Sequence, residues 1–153
     1  MLDGSFLRLR EIGTLVLREG EEIHFSIDVY RGYRYVSIRR YVQTDHFSGP
    51  TKDGVTLTPE IVRAFVPRLL ALPEQAGAVK LGSVGKFAKR PGICIVAAMV
   101  EIGTQRGLEL RQWEQEKGFM HTGIFLPLAQ WEKIRQLFKD TWTAIEEVPE
   151  TDF

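Results

Sequence analysis

The most informative part of the sequence runs from Tyr35 to Glu60 and reads YVSIRRYVQTDHFSGPTKDGVTLTPE. Its first residues alternate apolar and polar side chains, which is typical of a strand with one buried face. A polar segment containing glycine and proline follows, and we expect residues 43–53 to form a loop. The end, GVTLTPE, predicts a short strand over 55–57 and then a helix. Threonine can accept a backbone N–H as the N-cap, and proline suits the first helical position.

The same order of strand, polar turn, short strand and helix recurs from Gly107 to Ile134, which indicates an internal repeat. One constant offset, followed by a short deletion, aligns Gly13 with Gly85, Arg18 with Arg90, Gly20 with Gly92, Ile23 with Ile95, Arg39 with Arg111, Tyr41 with Trp113, Gly54 with Gly123, Val55 with Ile124 and Leu57 with Leu126. The alternative is chance similarity between two β-rich segments. We predict an α+β fold of two tandem β-β-β-β-α units, each a twisted antiparallel sheet packed on its C-terminal helix. The first unit spans 1–72, the linker 73–78 and the second unit 79–153.

The strands of the first unit take their register from a two-residue turn. Residues 23–30 and 33–42 both alternate, and only Arg31 and Gly32 separate them, so a tight hairpin pairs Tyr30 with Tyr33. One face then holds the predicted core residues Ile23, Phe25, Ile27, Val29, Val36 and Ile38. The other, the open face of the first sheet, carries His24, Ser26, Asp28, Tyr30, Tyr33, Tyr35, Ser37, Arg39 and Tyr41. A sheet with one buried and one solvated face has this pattern.

The remaining elements follow the same plan. We predict strands over 6–18, 80–90, 93–102, 107–114 and 124–126, and helices over 59–72 and 128–148. Pro67 should kink or end the first helix, because proline removes a helical hydrogen bond.

Charge, cysteine count and motif content argue against several classes of function. Twenty basic and twenty acidic residues give a net charge of zero, which argues against indiscriminate nucleic-acid binding. A single cysteine, Cys94, excludes an intrachain disulfide and a cysteine-rich zinc site. The three histidines have no metal-ligand spacing, and no phosphate loop or nucleophile motif occurs, so we expect no cofactor, no metal and no enzymatic activity. With no signal peptide and no long apolar run, we expect a cytoplasmic protein without membrane contact.

The motifs SIRRYV and DGVTLTPE, separated by a loop with Gly, Pro and Lys, resemble the single-stranded-DNA-binding transcriptional positive cofactor four family of coactivators and its bacterial and phage relatives. The matching motifs are Ile38-Arg39-Arg40-Tyr41 and Gly54 to Glu60 in the first unit, with Leu110-Arg111-Gln112-Trp113, Gly123 to Pro127 and Gln130-Trp131 in the second. The resemblance covers nearly the whole chain, twice, through short motifs. Since the family's unit dimerises, the resemblance implies that the fused units form an intramolecular pseudo-dimer.

Interleaved tyrosines and arginines on the first hairpin form the best candidate binding surface, because aromatic rings stack on bases and arginines hold phosphates. The resemblance places Tyr30 and Arg31 on the family's hairpin-turn pair, Arg39 on its strand arginine and Lys52 on a loop base. It departs at Asp53, where the family has lysine, and at Val42, where it has tryptophan. The candidate nucleic-acid-binding residues are Tyr30, Arg31, Tyr33, Arg34, Tyr35, Arg39, Tyr41 and Lys52, with Arg111 and Trp113 in the second unit. The alternative is an ordinary tyrosine-rich sheet face, and Asp28 would repel phosphate.

The equivalent face of the second unit is aliphatic at Val96, Ala98, Val100 and Ile102. We expect the other half, the N-terminal strand or a second molecule to cover it. The sequence thus predicts a protein that binds single-stranded DNA, or RNA, with weak sequence specificity in transcription regulation or DNA replication and repair, with further self-association left open. The alternative is a protein-interaction or assembly module that keeps the fold without binding DNA.

Overall fold

A computed structural model describes residues 7–148 as two four-stranded antiparallel sheets, each with its strands in chain order and followed by a helix. The first unit contains β1 (Leu7–Arg18), β2 (Glu21–Tyr30), β3 (Tyr33–Gln43), β4 (Ser48–Leu57) and α1 (Pro59–Leu70). The second contains β5 (Gly82–Arg90), β6 (Ile93–Ile102), β7 (Gln105–Glu114), β8 (Gly118–Pro127) and α2 (Trp131–Glu147). Short 3-10 turns cover Ala76–Ala78 and Leu128–Gln130. The predicted α+β fold of two tandem units is confirmed.

The β2–β3 hairpin has the predicted register, with Tyr30 opposite Tyr33 and His24 opposite Arg39. Both turn residues have positive φ, 53° at Arg31 and 83° at Gly32, which matches the right-handed twist of the flanking strands. The predicted core residues of this hairpin are buried. The prediction that the opposite face is solvated is wrong at its centre, where Ser26, Asp28 and Ser37 are also buried. This face is exposed at Tyr33 and half-buried at Tyr30 and Tyr35.

The two units share backbone irregularities as well as sequence. Register shifts fall at equivalent repeat positions, namely Glu11/Gly13 and Ser83/Gly85, Val16/Arg18 and Ala88/Arg90, and Arg39/Tyr41 and Arg111/Trp113. A β-bulge bends its strand and increases the local twist. The same bends therefore shape both sheets.

The predicted loop over 43–53 is wrong, because most of it belongs to β4. The pairs Gln43–Ser48, Val42–Gly49 and Tyr41–Pro50 extend the β3–β4 hairpin beyond the bulge, and only 44–47 form the turn. Pro50 fits here since β4 is an edge strand of its sheet. The prediction failed because this arm of the hairpin is polar on both faces. The short strand predicted over 124–126 is likewise the end of the longer β8.

The helices begin and end close to the predicted residues. Thr58 Oγ1 accepts a hydrogen bond from the Ile61 N–H at 3.2 Å, as expected of an N-cap. Pro67 lies within the last turn of α1, and the helix ends three residues later at Leu70 rather than at residue 72. No helix of residues 7–148 is long and apolar enough to cross a bilayer.

The units share one hydrophobic core, because each helix packs on the sheet of the other unit. α2 contacts β1 and β2, while α1 contacts β5, α2 and, less extensively, β3 of its own sheet. A chain of edge-to-face rings crosses the boundary, with centroid separations of 5.3 Å for Phe25–Phe138, 5.3 Å for Phe138–Phe65 and 5.6 Å for Phe65–Phe87. The units form an intramolecular pseudo-dimer.

Two equivalent glycines let the exchanged helices approach closely. A Cβ on Gly85 would lie 2.6 Å from Phe87 Cζ of the same strand. A Cβ on Gly13 would lie 2.6 Å from Leu137 Cδ2 of α2, and one on Gly85 would also lie 2.7 Å from Arg68 Nη1 of α1. Both contacts join one unit's first strand to the other unit's helix. This repeat position is therefore glycine for a tertiary reason.

Candidate nucleic-acid interface

Three tyrosines and an arginine meet at the β2–β3 turn of the first sheet. Tyr33 is 68% exposed and lies opposite Tyr30, whose ring centroid is 5.2 Å from Arg31 Cζ. Tyr35 is half-buried on the same face. The structure therefore brings Tyr30, Arg31, Tyr33 and Tyr35 together, with an accessible ring beside a guanidinium.

Arg39 lies across the neighbouring strand, above Gly54. A Cβ on Gly54 would lie only 2.8 Å from Arg39 Cζ, so the guanidinium rests on bare backbone. Arg39 Nη1 donates to Thr51 O at 3.1 Å, which holds the bulged part of β4 against β3. Exposed Lys52 follows Thr51 directly on β4. A guanidinium has five N–H donors, so this position can hold the strand and contact a phosphate.

Tyr41 is engaged by protein on the same face. Its ring stacks on His24 with centroids 3.8 Å apart, and its hydroxyl accepts from Arg8 Nη2 at 3.1 Å. The hydrogen bond with Tyr41 is the largest cause that raises the pKa of Arg8 above its ordinary value. Tyr41 is therefore less available for stacking on a base than Tyr33.

Arg8 also neutralises the acidic residue that argued against binding. Its Nε lies 3.4 Å from Asp28 Oδ1, which also accepts from Ser26 Oγ at 3.0 Å. Arg8 is not among the residues predicted from the sequence, because bulges make the register of β1 irregular. Once the bulges are included in the β1–β2 register, Arg8 lies directly opposite Asp28, and this pairing is what identifies it.

Arg34 does not lie with the other candidates. It is 6% exposed, on the core side of β3, and its Nη1 donates to the carbonyl oxygens of Ile145, at 3.0 Å, and Val148. These carbonyls terminate α2, where the helix dipole favours a positive charge. This arginine ties the first sheet to the second unit's helix.

The second sheet repeats the arginine arrangement but adds a carboxylate. A Cβ on Gly123 would lie 2.7 Å from Arg111 Cζ, and Arg111 Nη1 donates to Met120 O and His121 O, each at 3.1 Å. Arg111 Nη2 also lies 3.1 Å from Glu109 Oε2. The positive charge at this position is thus partly offset within the protein.

Trp113, a predicted binding residue, belongs to a small aromatic and basic cluster with Lys86 and Phe119, which were not predicted. The Lys86 ammonium lies 4.2 Å from its ring centroid, close enough for a cation–π contact. Phe119, its cross-strand partner, is 62% exposed. The aliphatic residues of this sheet are half-buried along β6, whereas Ile102 is 51% exposed.

A cleft of about 620 Å³ separates the end of β1 and the base of the β3–β4 hairpin from the second sheet. Its first-unit side carries paired charges, since Glu21 contacts both Arg18 and Arg40, and Arg40 Nη1 lies 2.8 Å from Asp53 Oδ2. Asp53, which departs from the family pattern, is therefore part of an ion-pair network.

Part of the first unit is similar to a known protein family. Residues 17–67 match the family model of Transcriptional Coactivator p15 (PC4). The match runs from the end of β1 through β4 into α1 and contains every first-unit candidate. The members of this coactivator family bind DNA and are not enzymes. No curated protein matches the chain closely enough to be called a relative.

Proposed function

We propose that this protein binds single-stranded DNA with weak sequence specificity on the open face of the first sheet, and acts in transcription regulation or in DNA replication or repair. The observation that carries the proposal is the coincidence of the coactivator-family match over 17–67 with the aromatic and basic face. A resemblance of short motifs alone would be weaker support.

The rings and charges of this face suit an unpaired strand better than a duplex. Exposed Tyr33, with Tyr30 and Tyr35 beside it, offers surfaces on which bases stack, and bases in a duplex are already stacked on one another. Arg31, Arg39 and Lys52 supply positive charge for the phosphates. Stacking tolerates any base, so we expect little sequence preference. RNA offers the same rings and phosphates and is the alternative strand.

The local charge balance supports binding despite a net charge of zero. Arg8 offsets Asp28, so the acidic residue of this face does not act alone against a phosphate. Elsewhere, carboxylates pair with arginines away from the tyrosine cluster, as Asp53 does with Arg40. A net charge of zero is therefore compatible with a locally basic path.

We also propose that the repeat boundary follows the chain division 1–72, 73–78 and 79–153. The short 3-10 turn Ala76–Ala78 falls in the proposed linker. Because the units exchange helices, this division is one of sequence and not of independent folding.

A fluorescence anisotropy titration of the full chain with an oligothymidylate and with a matched duplex tests the function. We expect a dissociation constant of about micromolar or tighter for the single strand, weakened by added salt because phosphate contacts release counterions. The duplex should bind more weakly. Absence of single-strand binding at low salt, by a protein that circular dichroism shows to be folded, overturns the proposal and favours a protein-interaction module.

A further inference from the structure

One lysine of the second unit reaches onto the first sheet. Lys89, near the end of β5, places its ammonium 2.6 Å from the hydroxyl oxygen of Thr56 on β4. This contact joins two units at the junction of their sheets.

Thr56 lies among the candidate binding residues. It pairs with Ser37, which is on the open face, and it is two residues from Gly54, where the Arg39 guanidinium rests. Side chains two residues apart on a strand share a face. The Lys89 ammonium therefore adds a positive charge from the second unit to the face of the first sheet that carries Arg39.

Within residues 7–148, the half-buried Lys89 ammonium resembles Arg39 and Lys52 of the first sheet in having no carboxylate partner. Among residues 7–148, no carboxylate lies within ion-pair distance of Lys89, whereas Arg8, Arg10, Arg18, Arg40 and Arg111 each contact one. Burial, and then the charge of Arg90, lower the pKa of Lys89 to about 8. A partly buried, unpaired cation is costly, and an anion reduces that cost.

The equivalent position of the first unit is apolar. Leu17 precedes Arg18 as Lys89 precedes Arg90, and Phe125 takes the place of Thr56 on the second sheet. Leu17 and Phe125 both line the cleft described above, so packing at this junction does not require a lysine.

We propose that Lys89 and Thr56 form a phosphate subsite at the boundary between the units, where a strand bound on the first sheet is also held by the second unit. This subsite rests on the proposed function, and its ligand is a backbone phosphate of the bound nucleic acid.

The test compares Lys89→Met, Lys89→Arg and the matched charge control Lys133→Met, at an exposed position of α2, by anisotropy with the same oligothymidylate across a salt series. We expect Lys89→Met to bind about tenfold more weakly, the scale of one hydrogen bond to a charged group. The slope of log K against log salt should fall by about 0.7, the share of one single-strand phosphate contact. Lys89→Arg should keep the wild-type slope, and Lys133→Met should match the wild type throughout.

The alternative outcomes are distinguishable. An unchanged slope in Lys89→Met overturns the subsite, and so does a Lys89→Arg variant as weak as Lys89→Met, since that result assigns the lysine to packing. If Tyr33→Ala weakens binding in either case, the proposed function stands without the subsite. If the wild-type protein binds no oligothymidylate, both proposals fall.

Discussion

The open faces of the two sheets share a backbone and differ in the side chains that they present. Both keep an arginine over a glycine beside a β-bulge, Arg39 over Gly54 and Arg111 over Gly123. The first face adds an exposed tyrosine cluster, and the second is aliphatic along β6. Because this arrangement persists in a face without the tyrosines, the arginine has a structural role in both units. Binding must therefore be judged from the residues around it.

The largest expected effect tests whether the faces differ in binding. Replacing Tyr30 and Arg39 together with alanine should weaken single-strand affinity by at least ~2 kcal/mol, because one stacking and one charge contact are lost. Replacing Ile102 and Arg111 should cost less than about half of that. Anisotropy titrations measure both, with circular dichroism to verify folding. Equal losses would show that the two sheets bind alike.

A second experiment concerns stability at the two glycines beneath the arginines, Gly54 and Gly123. Gly54→Ala would bring its Cβ within 2.8 Å of the Ile38 carbonyl oxygen as well as Arg39, whereas the close contacts of Gly123 are with the Arg111 side chain. Backbone yields less readily than a side chain, so Gly54→Ala should lower the free energy of unfolding by about 1–3 kcal/mol. Gly123→Ala should cost less than Gly54→Ala in urea titrations. A larger loss of stability in Gly123→Ala than in Gly54→Ala would contradict this explanation.

The third experiment compares Lys89 with its apolar counterpart Leu17. Because burial lowers the pKa of Lys89 from 10.5 to about 8, the unfolded chain binds more protons between these values. The free energy of unfolding therefore rises with pH through this window. Below pH 8 the buried charge of Lys89 destabilises the folded protein to its full extent. Lys89→Met, which approximates Leu17, should be more stable than the wild type at pH 7 by on the order of 1 kcal/mol, with the gap closing towards pH 10. A gap independent of pH would show that the charge is not responsible.

The smallest expected effect probes the second sheet. Phe119→Ala should reduce single-strand affinity by less than ~1 kcal/mol, because this ring lies opposite Trp113 on the second sheet and not on the tyrosine-bearing first sheet. Tyr33→Ala is the matched change on the first sheet and should cost more. A comparable loss from both in anisotropy titrations would make the Trp113 cluster a full part of the interface.

The sequence was sufficient for the features that depend on near neighbours in the chain. The Arg31-Gly32 turn set the hairpin register, and the threonine before Pro59 set the start of α1. Alternation along β3 also places Arg34 with Val36 and Ile38 on the core side. Arg34 should therefore not have been counted among the candidate binding residues. The role of the candidate residues stays a prediction.

Contacts between distant strands were beyond the sequence. The Arg8–Asp28 pair depends on bulges in β1, and the Lys89–Thr56 contact depends on how two sheets meet. Neither follows from periodicity, which specifies a face but not what lies opposite it. The polar arm of β4 was missed for a related reason, since pairing with β3 and not its own pattern makes it a strand.

The exchange of helices has a consequence for synthesis on the ribosome. The buried face of β1 and β2 is covered by α2, which is translated after seven further elements of the described chain. Until then, the nascent first sheet exposes Phe25 and its apolar neighbours, the kind of surface that chaperones hold and proteases attack. A transcript truncated before α2 would therefore yield material for degradation, and the cell would acquire the tyrosine face only together with the partner unit that supports it.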